Sequence, residues 1–222
     1  MKPMRRIFYL IIVCPCLVLA EPRQLVDENS PDWLYSVGRL TIPGLRYESG
    51  DALHQQENCS ASLISERLVL TAWHCLENYR NLAQDIVFTL PQLPGKPQRT
   101  ARRVADGGGM QADWALLKLQ SSIAGAQPIP VNDERTNVSP VLSLAGYSRD
   151  EGLGKGGENL TWQTDCHITA DETYRVATNC LAYKGASGGP VLQQGSVVGV
   201  ISAGDATELT YYAPSRSFRA AL

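Results

Sequence analysis

The stretch CSASLISERLVLTAWHC, residues 59–75, decides how this chain folds. Two short apolar runs, residues 59–64 and 67–71, are separated by polar turn residues, and this pattern predicts two β-strands. The second run ends just before His74, which stands beside a cysteine. The stretch therefore predicts a β-rich fold that presents a histidine at the end of a strand.

Short apolar runs of the same kind recur along most of the chain. The further predicted strands are residues 37–42, 86–90, 114–119, 141–145, 160–168, 190–192 and 196–202. Residues 120–140 show no periodicity and contain three prolines, so we expect them to cross between two halves of the molecule. The one predicted helix is the C-terminal tail, residues 216–222, with Ser215 as its N-cap. Many strands and so little helix indicate an all-β barrel or sandwich.

The composition excludes two classes of protein. With 44% hydrophobic and 19% charged residues, the 222-residue chain is too apolar for a wholly disordered protein. A formal net charge of −2 leaves no basic surface that would indicate a nucleic-acid partner.

Residues 1–20 have the pattern of a secretory signal peptide. A basic start precedes an apolar run over residues 7–19, which is too short to span a bilayer comfortably, and Ala20 suits the cleavage site. An uncleaved N-terminal anchor is the alternative. Cleavage would leave residues 21–36 as a polar, extended leader. The protein would then be secreted or periplasmic, with no membrane segment after signal cleavage.

The cysteines are consistent with export. Of the six in the chain, two lie within residues 1–20, and Cys59, Cys75, Cys166 and Cys180 remain. An even number of cysteines in an exported protein predicts two disulfides, with three possible connectivities.

Only three histidines are present as candidate general bases. His54 lies in a polar stretch and His167 on the polar side of its predicted strand, so both are expected to be solvated surface residues. His74 is the candidate base.

Two further residues have the surroundings that reactive groups need. Asp113 directly precedes an apolar strand and must be exposed or paired, because burying it alone is costly. Ser187 lies in KGASGGP, residues 184–190, where glycines leave its hydroxyl accessible and can aim N–H groups at an approaching oxygen. Each pattern alone is weak, since Gly-x-Ser-Gly-Gly is often only a turn.

In the order His, Asp, Ser, these residues resemble the catalytic triad of the trypsin/chymotrypsin-like serine peptidases. The matching segments are CSASLISERLVLTAWHC, DWALLKL, GASGGPV and VGVISAG, residues 59–75, 113–119, 185–191 and 198–204. The spacings of 39 and 74 residues between the three look more like the compact, bacterial-type members.

The resemblance implies an all-β fold of two six-stranded antiparallel β-barrels of the chymotrypsin type, with a short C-terminal helix. The N-terminal barrel, residues 37–125, would carry the histidine and the aspartate. The C-terminal barrel, residues 126–222, would carry the serine and the specificity pocket, and the active site would lie in the cleft between them.

The resemblance also implies a mechanism. Ser187 would attack a carbonyl carbon, His74 would take the proton of its hydroxyl, and Asp113 would orient the imidazole. The N–H groups of Gly185 and Ser187 would form the oxyanion hole.

The family pattern implies a disulfide between Cys59 and Cys75, and with it one between Cys166 and Cys180. No cofactor and no metal are expected, because a zinc site built from His74 and the cysteines would lack any C-x-x-C spacing.

The same pattern implies the substrate-binding residues. Ser202 would donate a hydrogen bond to Asp113, and Ser202, Ala203 and Gly204 would line the cleft and pair with the substrate backbone as an added strand.

The sequence departs from the family pattern near the nucleophile. Ala186 replaces the aspartate that receives the freed N-terminal amine when a zymogen is cleaved, so no cleavage before Val37 should be needed. Counting back from the nucleophile places Leu181 at the floor of the specificity pocket, with Ala182 beside it. Cleavage after Lys or Arg would need an acid there, and glutamyl preference usually needs a histidine where this chain has Ile201. An uncharged P1 side chain is therefore expected.

The leading hypothesis is a secreted, monomeric serine endopeptidase that acts on proteins or peptides. The alternative is a catalytically weak or inactive protease-fold protein with a binding or regulatory role. An esterase with the same chemistry would differ only in its leaving group.

Overall fold

The computed structural model describes residues 21–79, 85–132, 141–204 and 209–222, and in these it contains fourteen β-strands. The strands are Gln24–Leu25 (β1), Val37–Glu48 (β2), Asp51–Leu63 (β3), Leu68–Thr71 (β4), Ile86–Thr89 (β5), Gln98–Asp106 (β6), Ala115–Leu119 (β7), Leu142–Gly146 (β8), Thr161–Cys166 (β9), Ile168–Asp171 (β10), Val176–Thr178 (β11), Pro190–Gln193 (β12), Ser196–Gly204 (β13) and Thr210–Pro214 (β14). Short 3₁₀ helices cover Asp32–Ser36, Trp73–Leu76, Lys155–Gly157, Ser215–Ser217 and Arg219–Ala221. The predicted signal peptide, residues 1–20, lies outside the described residues. The all-β class is confirmed.

The first half of the chain forms a closed six-stranded barrel in the order β2-β3-β4-β7-β6-β5. Closure leaves the barrel without a free sheet edge. Its interior is filled by fully buried apolar side chains, among them Leu40, Phe88 and Leu117. This core holds the ends of β4 and β7 in place, and the candidate site lies at those ends.

The β2–β3 hairpin is much longer than the sequence predicts. It pairs twelve residues of β2 with β3, from Val37↔Ser62 to Glu48↔Asp51, and turns at Ser49 and Gly50, whose φ angles are +53° and +94°. Two consecutive positive φ angles are typical of the type I′ turn that favours such hairpins. Residues 51–54 are exposed on the hairpin, so no apolar alternation marks the strand.

The second half forms a curled eight-stranded sheet in the order β1-β9-β8-β12-β13-β14-β11-β10. The family resemblance implies a six-stranded barrel here, but β1 and β10 add one strand at each end of the sheet. Backbone hydrogen bonds do not join these two ends within the described residues. Side chains join the ends of the curl instead. The Cys166–Cys180 disulfide, with Cα atoms 5.3 Å apart, links β9 to the segment after β11. The Leu181 N–H donates to Gln163 Oε1 at 2.8 Å across the same gap.

The segment between the two units crosses from one to the other. The Ile129 N–H donates to the Leu63 carbonyl of the barrel at 2.9 Å, and the Val197 N–H of the sheet donates to the Pro130 carbonyl at 2.8 Å. The remainder of the predicted crossing segment, residues 133–140, lies outside the described residues.

Residues 21–36 pack onto the protein, although their polar composition predicts an extended leader. Strand β1 pairs with β9, with Gln24 opposite Trp162. Leu34 is fully buried in a cluster that includes apolar side chains from both halves of the chain. Trp33 meets Trp162 edge to face, with ring centroids 6.4 Å apart. A few apolar side chains in a polar segment are enough to dock it.

The C-terminal tail does not form the single helix predicted over residues 216–222. Ser215 is the first residue of a 3₁₀ turn whose N-cap is Pro214 rather than Ser215, and a second 3₁₀ turn follows Phe218. Phe218 is fully buried and packs against Trp114, with ring centroids 6.1 Å apart. Turning this ring inward, at a φ of −124°, interrupts the helical path.

Candidate active site

The ends of two neighbouring barrel strands bring His74 and Asp113 together. Strands β4 and β7 are antiparallel, with Thr71 opposite Ala115, so the end of one lies beside the start of the other. His74 follows β4 and Asp113 precedes β7. The Nδ1 atom of His74 lies 2.8 Å from Asp113 Oδ2, and the His74 backbone N–H donates to Oδ1 at 2.9 Å.

The Asp113 carboxylate is buried, with 1% of the residue exposed. It accepts a further hydrogen bond from the Ser202 hydroxyl, a residue of β13 in the second unit. Hydrogen bonds to a buried carboxylate offset the cost of removing its charge from water. When Nδ1–H donates to this carboxylate, Nε2 keeps the lone pair of the neutral ring. The His74 side chain is 26% exposed, so its ring is accessible from the cleft.

Ser187 lies beside this pair. Its carbonyl oxygen accepts from the Ser60 N–H at 2.8 Å and lies 3.9 Å from Cys75 Sγ. The same sulfur is 4.0 Å from His74 Nε2. Within the described part of the chain the Ser187 hydroxyl makes no hydrogen bond, so no direct bond joins it to the His74 ring, and Cys75 Sγ is the atom that both residues approach.

The loop before Ser187 has a backbone that only glycine accommodates. Gly185 has a φ of +97°, and a Cβ there would lie 2.5 Å from the Tyr147 carbonyl oxygen. The Arg149 N–H donates to the Lys184 carbonyl at 2.6 Å. In a trans peptide the N–H points opposite to the carbonyl, so the Gly185 N–H is directed away from Arg149. Neither this N–H nor that of Ser187 has an acceptor among the described residues.

Ser60 is a site residue that the sequence does not indicate. It is fully buried, and its hydroxyl donates to the Gly185 carbonyl and accepts from the Tyr147 N–H, each at 2.8 Å. The Thr71 hydroxyl in turn donates to the Ser60 carbonyl at 2.9 Å. The only sequence signal is a polar residue inside an apolar strand, because its partners lie far away along the chain.

The residues expected to bind substrate form two adjacent segments. A Cβ on Gly204 would lie 2.3 Å from the Ala182 carbonyl oxygen, so residues 181–182 and 202–204 are in close contact. The ladder of β13 with β12 ends at Pro190↔Val200, whereas β13 continues to Gly204. Ala203 and Gly204 are exposed at this point.

Gln163 is a second site residue that the sequence does not indicate. Alternation along residues 160–168 puts it on the polar side of the strand with His167, but it is only 8% exposed, and its carboxamide accepts the Leu181 N–H. It thereby holds the residue that is expected at the floor of the specificity pocket.

Both disulfides expected from the family pattern are present. Cys59 is joined to Cys75, with Cα atoms 6.3 Å apart, and Cys166 to Cys180. The donor atoms of Cys59, His74 and Cys75 lie within 4.8 Å of one another. A disulfide offers no thiolate to a metal, so this group does not fit a zinc site.

The other two histidines, His54 and His167, are exposed, in agreement with the sequence analysis. In the described part of the chain, no helix has the length and apolar character needed to cross a membrane.

A six-stranded barrel followed by a curled sheet, with a histidine–carboxylate pair between them, defines the chymotrypsin-like class of β-protein. The family model described as Trypsin matches residues 42–222, and the chain belongs to this family. The solved structure described as "Structure of GrC" has a TM-score of 0.67 at 15% identity, covering 86% of this chain and 93% of that one, and it shares the fold.

Two curated relatives are mosquito proteins. Trypsin 5G1 of Aedes aegypti is 25% identical over 174 aligned residues, and the match covers 66% of this chain and 65% of that protein. Serine protease SP24D of Anopheles gambiae is 29% identical over 167 aligned residues, and the match covers 64% of this chain and 60% of that protein. The matched part spans less than two thirds of either relative. The bacterial-type character of the chain stays a prediction.

Proposed function

We propose that this chain is a serine endopeptidase that hydrolyses peptide bonds through an acyl-enzyme, with Ser187, His74 and Asp113 as its triad. One observation carries the proposal. A buried carboxylate hydrogen-bonds Nδ1 of a partly exposed histidine, and Nε2 of that histidine and the carbonyl of Ser187, in a glycine-rich turn, lie 4.0 Å and 3.9 Å from the same Cys75 Sγ. This arrangement supplies a base, a group that orients it and a nucleophile.

The chemistry runs in two halves. Ser187 Oγ attacks the carbonyl carbon of the substrate while its proton passes to His74 Nε2. The N–H groups of Gly185 and Ser187 stabilise the oxyanion, and the imidazolium, stabilised by Asp113, gives its proton to the leaving amine. A water molecule then loses a proton to His74 and attacks the acyl carbon, which releases the acid and restores the serine hydroxyl.

The bond from Ser187 Oγ to His74 Nε2 forms with substrate in place. Catalytic hydrogen bonds are often long in free enzymes and tighten in the complex. The role of Ser187 is therefore compatible with a hydroxyl that has no hydrogen bond to a described residue in the free protein.

A peptide substrate binds as an added strand along residues 202–204, where β13 extends past its partner β12. Its P1 side chain points to Leu181 and is uncharged, because that residue offers no countercharge. Proteins and peptides are therefore the substrate class.

The protein is exported as a monomer, with residues 1–20 as its signal peptide. The two disulfides support export, since disulfide bonds form and persist in oxidising compartments. No cleavage before Val37 is required, because Ala186 has no carboxylate to receive a new amine.

Cleavage-site profiling of the purified full chain with a peptide library tests the function. The proposal predicts internal cleavage after uncharged residues and no cleavage by the Ser187→Ala variant. A folded wild-type protein that cleaves no peptide, yet still binds peptides, would support the binding or regulatory alternative. Turnover of esters but not of matched amides would identify an esterase.

A further inference from the structure

Arg23 is a buried cation that the proposed chemistry does not use. Only 2% of its side chain is exposed. Its guanidinium donates to Glu21 through Nε at 2.8 Å and Nη2 at 2.7 Å, and to Asp150 through Nη1 at 2.8 Å and Nη2 at 3.1 Å. Its Cζ also lies 4.2 Å from the centre of the Tyr183 ring. Arginine is almost never buried unless paired, and here both of its sides and one face are engaged.

We define residues 183–187 as the oxyanion loop. Arg23 contacts Tyr183 of this loop and Asp150 of the neighbouring segment that holds it. Tyr183 begins this loop, and its carbonyl accepts the Ala186 N–H at 3.0 Å. Asp150 directly follows Arg149, whose N–H fixes the Lys184 carbonyl. Arg23 therefore contacts the loop itself and the neighbouring segment that sets its peptide orientation.

The loop lacks an ionic anchor at its centre. Ala186 is 1% exposed and belongs to an apolar cluster of the second unit. A Cβ on Gly146 would lie 2.7 Å from the Ala186 Cβ, so this part of the loop is closely packed. Ionic contacts reach the loop region from the N-terminal arm, residues 21–25, and from Glu57 of β3, which pairs with Arg149 at 3.1 Å.

We propose that the N-terminal arm positions the oxyanion loop, with Arg23 as the positioning residue. It acts by bridging Asp150 and stacking on Tyr183, and so takes the place of the ion pair that Ala186 cannot make. The inference rests on the proposed function and deepens it. Without Arg23, residues 149–150 and the Tyr183 ring lose their shared partner, and the Arg149 N–H that orients the Lys184–Gly185 peptide is held less firmly.

Arg23 adds to the docking of the arm. Strand β1 is only two residues long and is also held by its pairing with β9 and by the Trp162 indole N–H, which donates to the Leu25 carbonyl at 3.3 Å, while the apolar contacts of Val26, Trp33 and Leu34 follow it along the chain. So short a ladder does not by itself fix a chain end.

The test measures kcat and KM of the full chain carrying Arg23→Ala on one peptide substrate, together with the affinity of a peptidyl aldehyde of the same sequence. The aldehyde forms a tetrahedral adduct whose oxygen occupies the oxyanion hole. Because the hole acts on the transition state, we expect kcat to fall by about tenfold or more with KM changed by less than about twofold. Aldehyde affinity should fall by the same factor as kcat/KM, and Arg23→Lys should restore part of both.

Arg67→Ala is the matched control. The Arg67 guanidinium also bonds to its surroundings, donating to the carbonyls of Leu119 and Gln120, but it lies at the end of β4 away from His74. The Arg67→Ala substitution should lower the free energy of unfolding. The kcat and aldehyde affinity of the folded variant should stay within about twofold of wild type.

Two further test variants and one control carry the test if Arg23→Ala does not fold. Asp150→Asn removes one partner, Tyr183→Leu removes the ring, and the control Tyr183→Phe keeps it. Loss of kcat in Asp150→Asn and Tyr183→Leu, but not in Tyr183→Phe, supports the proposal. If the wild type is active and Arg23→Ala, or both Asp150→Asn and Tyr183→Leu, show the same kcat and aldehyde affinity as Arg67→Ala, the proposal is overturned. An inactive wild-type protein would refute the proposed function itself, so the two failures are distinguishable.

Discussion

Ser60 contacts both sides of the candidate site, although its neighbours in β3 are apolar. Its hydroxyl joins the Gly185 carbonyl to the Tyr147 N–H, and its own N–H donates to the Ser187 carbonyl. It therefore ties the barrel to the loop that carries the proposed nucleophile.

Ser60→Ala should lower kcat by about tenfold with little change in KM, less than the roughly 10²–10³ lost with an oxyanion-hole donor itself. The Tyr147 N–H would be left buried without an acceptor, which costs about 1–3 kcal/mol of stability. Steady-state kinetics and urea unfolding measure the two effects. Ser62→Ala is the control, because Ser62 is equally buried in β3 and its hydroxyl has no partner among the described residues. Equal kcat for the two variants would contradict this role.

Short-range pattern nominated His74, Asp113 and Ser187 as candidates, because each lies beside an apolar strand or a glycine turn, and the family resemblance put them in order. Ser60 and Arg23 could not be found in this way. Their partners are 125 and 127 residues away along the chain, so only the folded molecule shows what they do.

At the level of elements, the loop that carries His74 is closed by the Cys59–Cys75 disulfide, with a sequence separation of 16 residues. The Cys166–Cys180 disulfide closes a loop of similar size, with a separation of 14, across the two ends of the curled sheet.

Replacing either pair of cysteines by serine should lower the free energy of unfolding by about 3 kcal/mol in the chain-entropy account, since the loops are nearly equal. Urea unfolding of the two double variants checks this. A loss below about 1 kcal/mol for both pairs would show that the loops are held by packing instead.

The ion pairs of Arg23 in the N-terminal arm make the stability of the protein depend on pH in the acid range. Hydrogen bonds from Arg23 lower the pKa of Glu21 and of Asp150 below their ordinary values of 4.5 and 3.8. A carboxyl with a lowered pKa in the folded state stabilises the fold above its ordinary pKa, and this contribution is lost as pH falls through the lowered value.

The stability difference between wild type and Arg23→Ala should therefore be constant above about pH 5.5 and shrink as pH falls below about 4. Thermal unfolding across this range measures it, and the remaining carboxylates are common to both proteins. A difference that grows with acid would refute this assignment.

The strands of the core were predictable and the polar elements were not. Residues 67–71 and 114–119 were recognised by their apolar runs, and they correspond to β4 and β7. The outer part of the β2–β3 hairpin is solvated, and the C-terminal helix gives way to a buried Phe218. Phe218 packs against Trp114, which is distant in sequence, whereas the hairpin strands pair locally but show no apolar alternation.

On the scale of the whole molecule, one apolar cluster joins the barrel, the curled sheet and residues 21–36. Leu34, Leu70, Trp114 and Phe218 all belong to it. The segment before Val37 is thus packed into the folded body.

Active enzyme should therefore retain residues 21–36, because their removal would take away Leu34 and Arg23 together. The intact mass of protein that reacts with an active-site titrant shows where its chain begins. If only chains that start at Val37 react, activation by cleavage would have to replace this account.

Labelling of the folded full chain with a fluorophosphonate, with the modified peptide located by mass spectrometry, tests the central claim most directly. Such reagents react with a serine that an adjacent base has activated. We predict one label on Ser187, and no label in Ser187→Ala or after unfolding. A folded wild-type chain that stays unlabelled, or that is labelled at another residue, would contradict the proposal that this member of the trypsin family is an enzyme with Ser187 as its nucleophile.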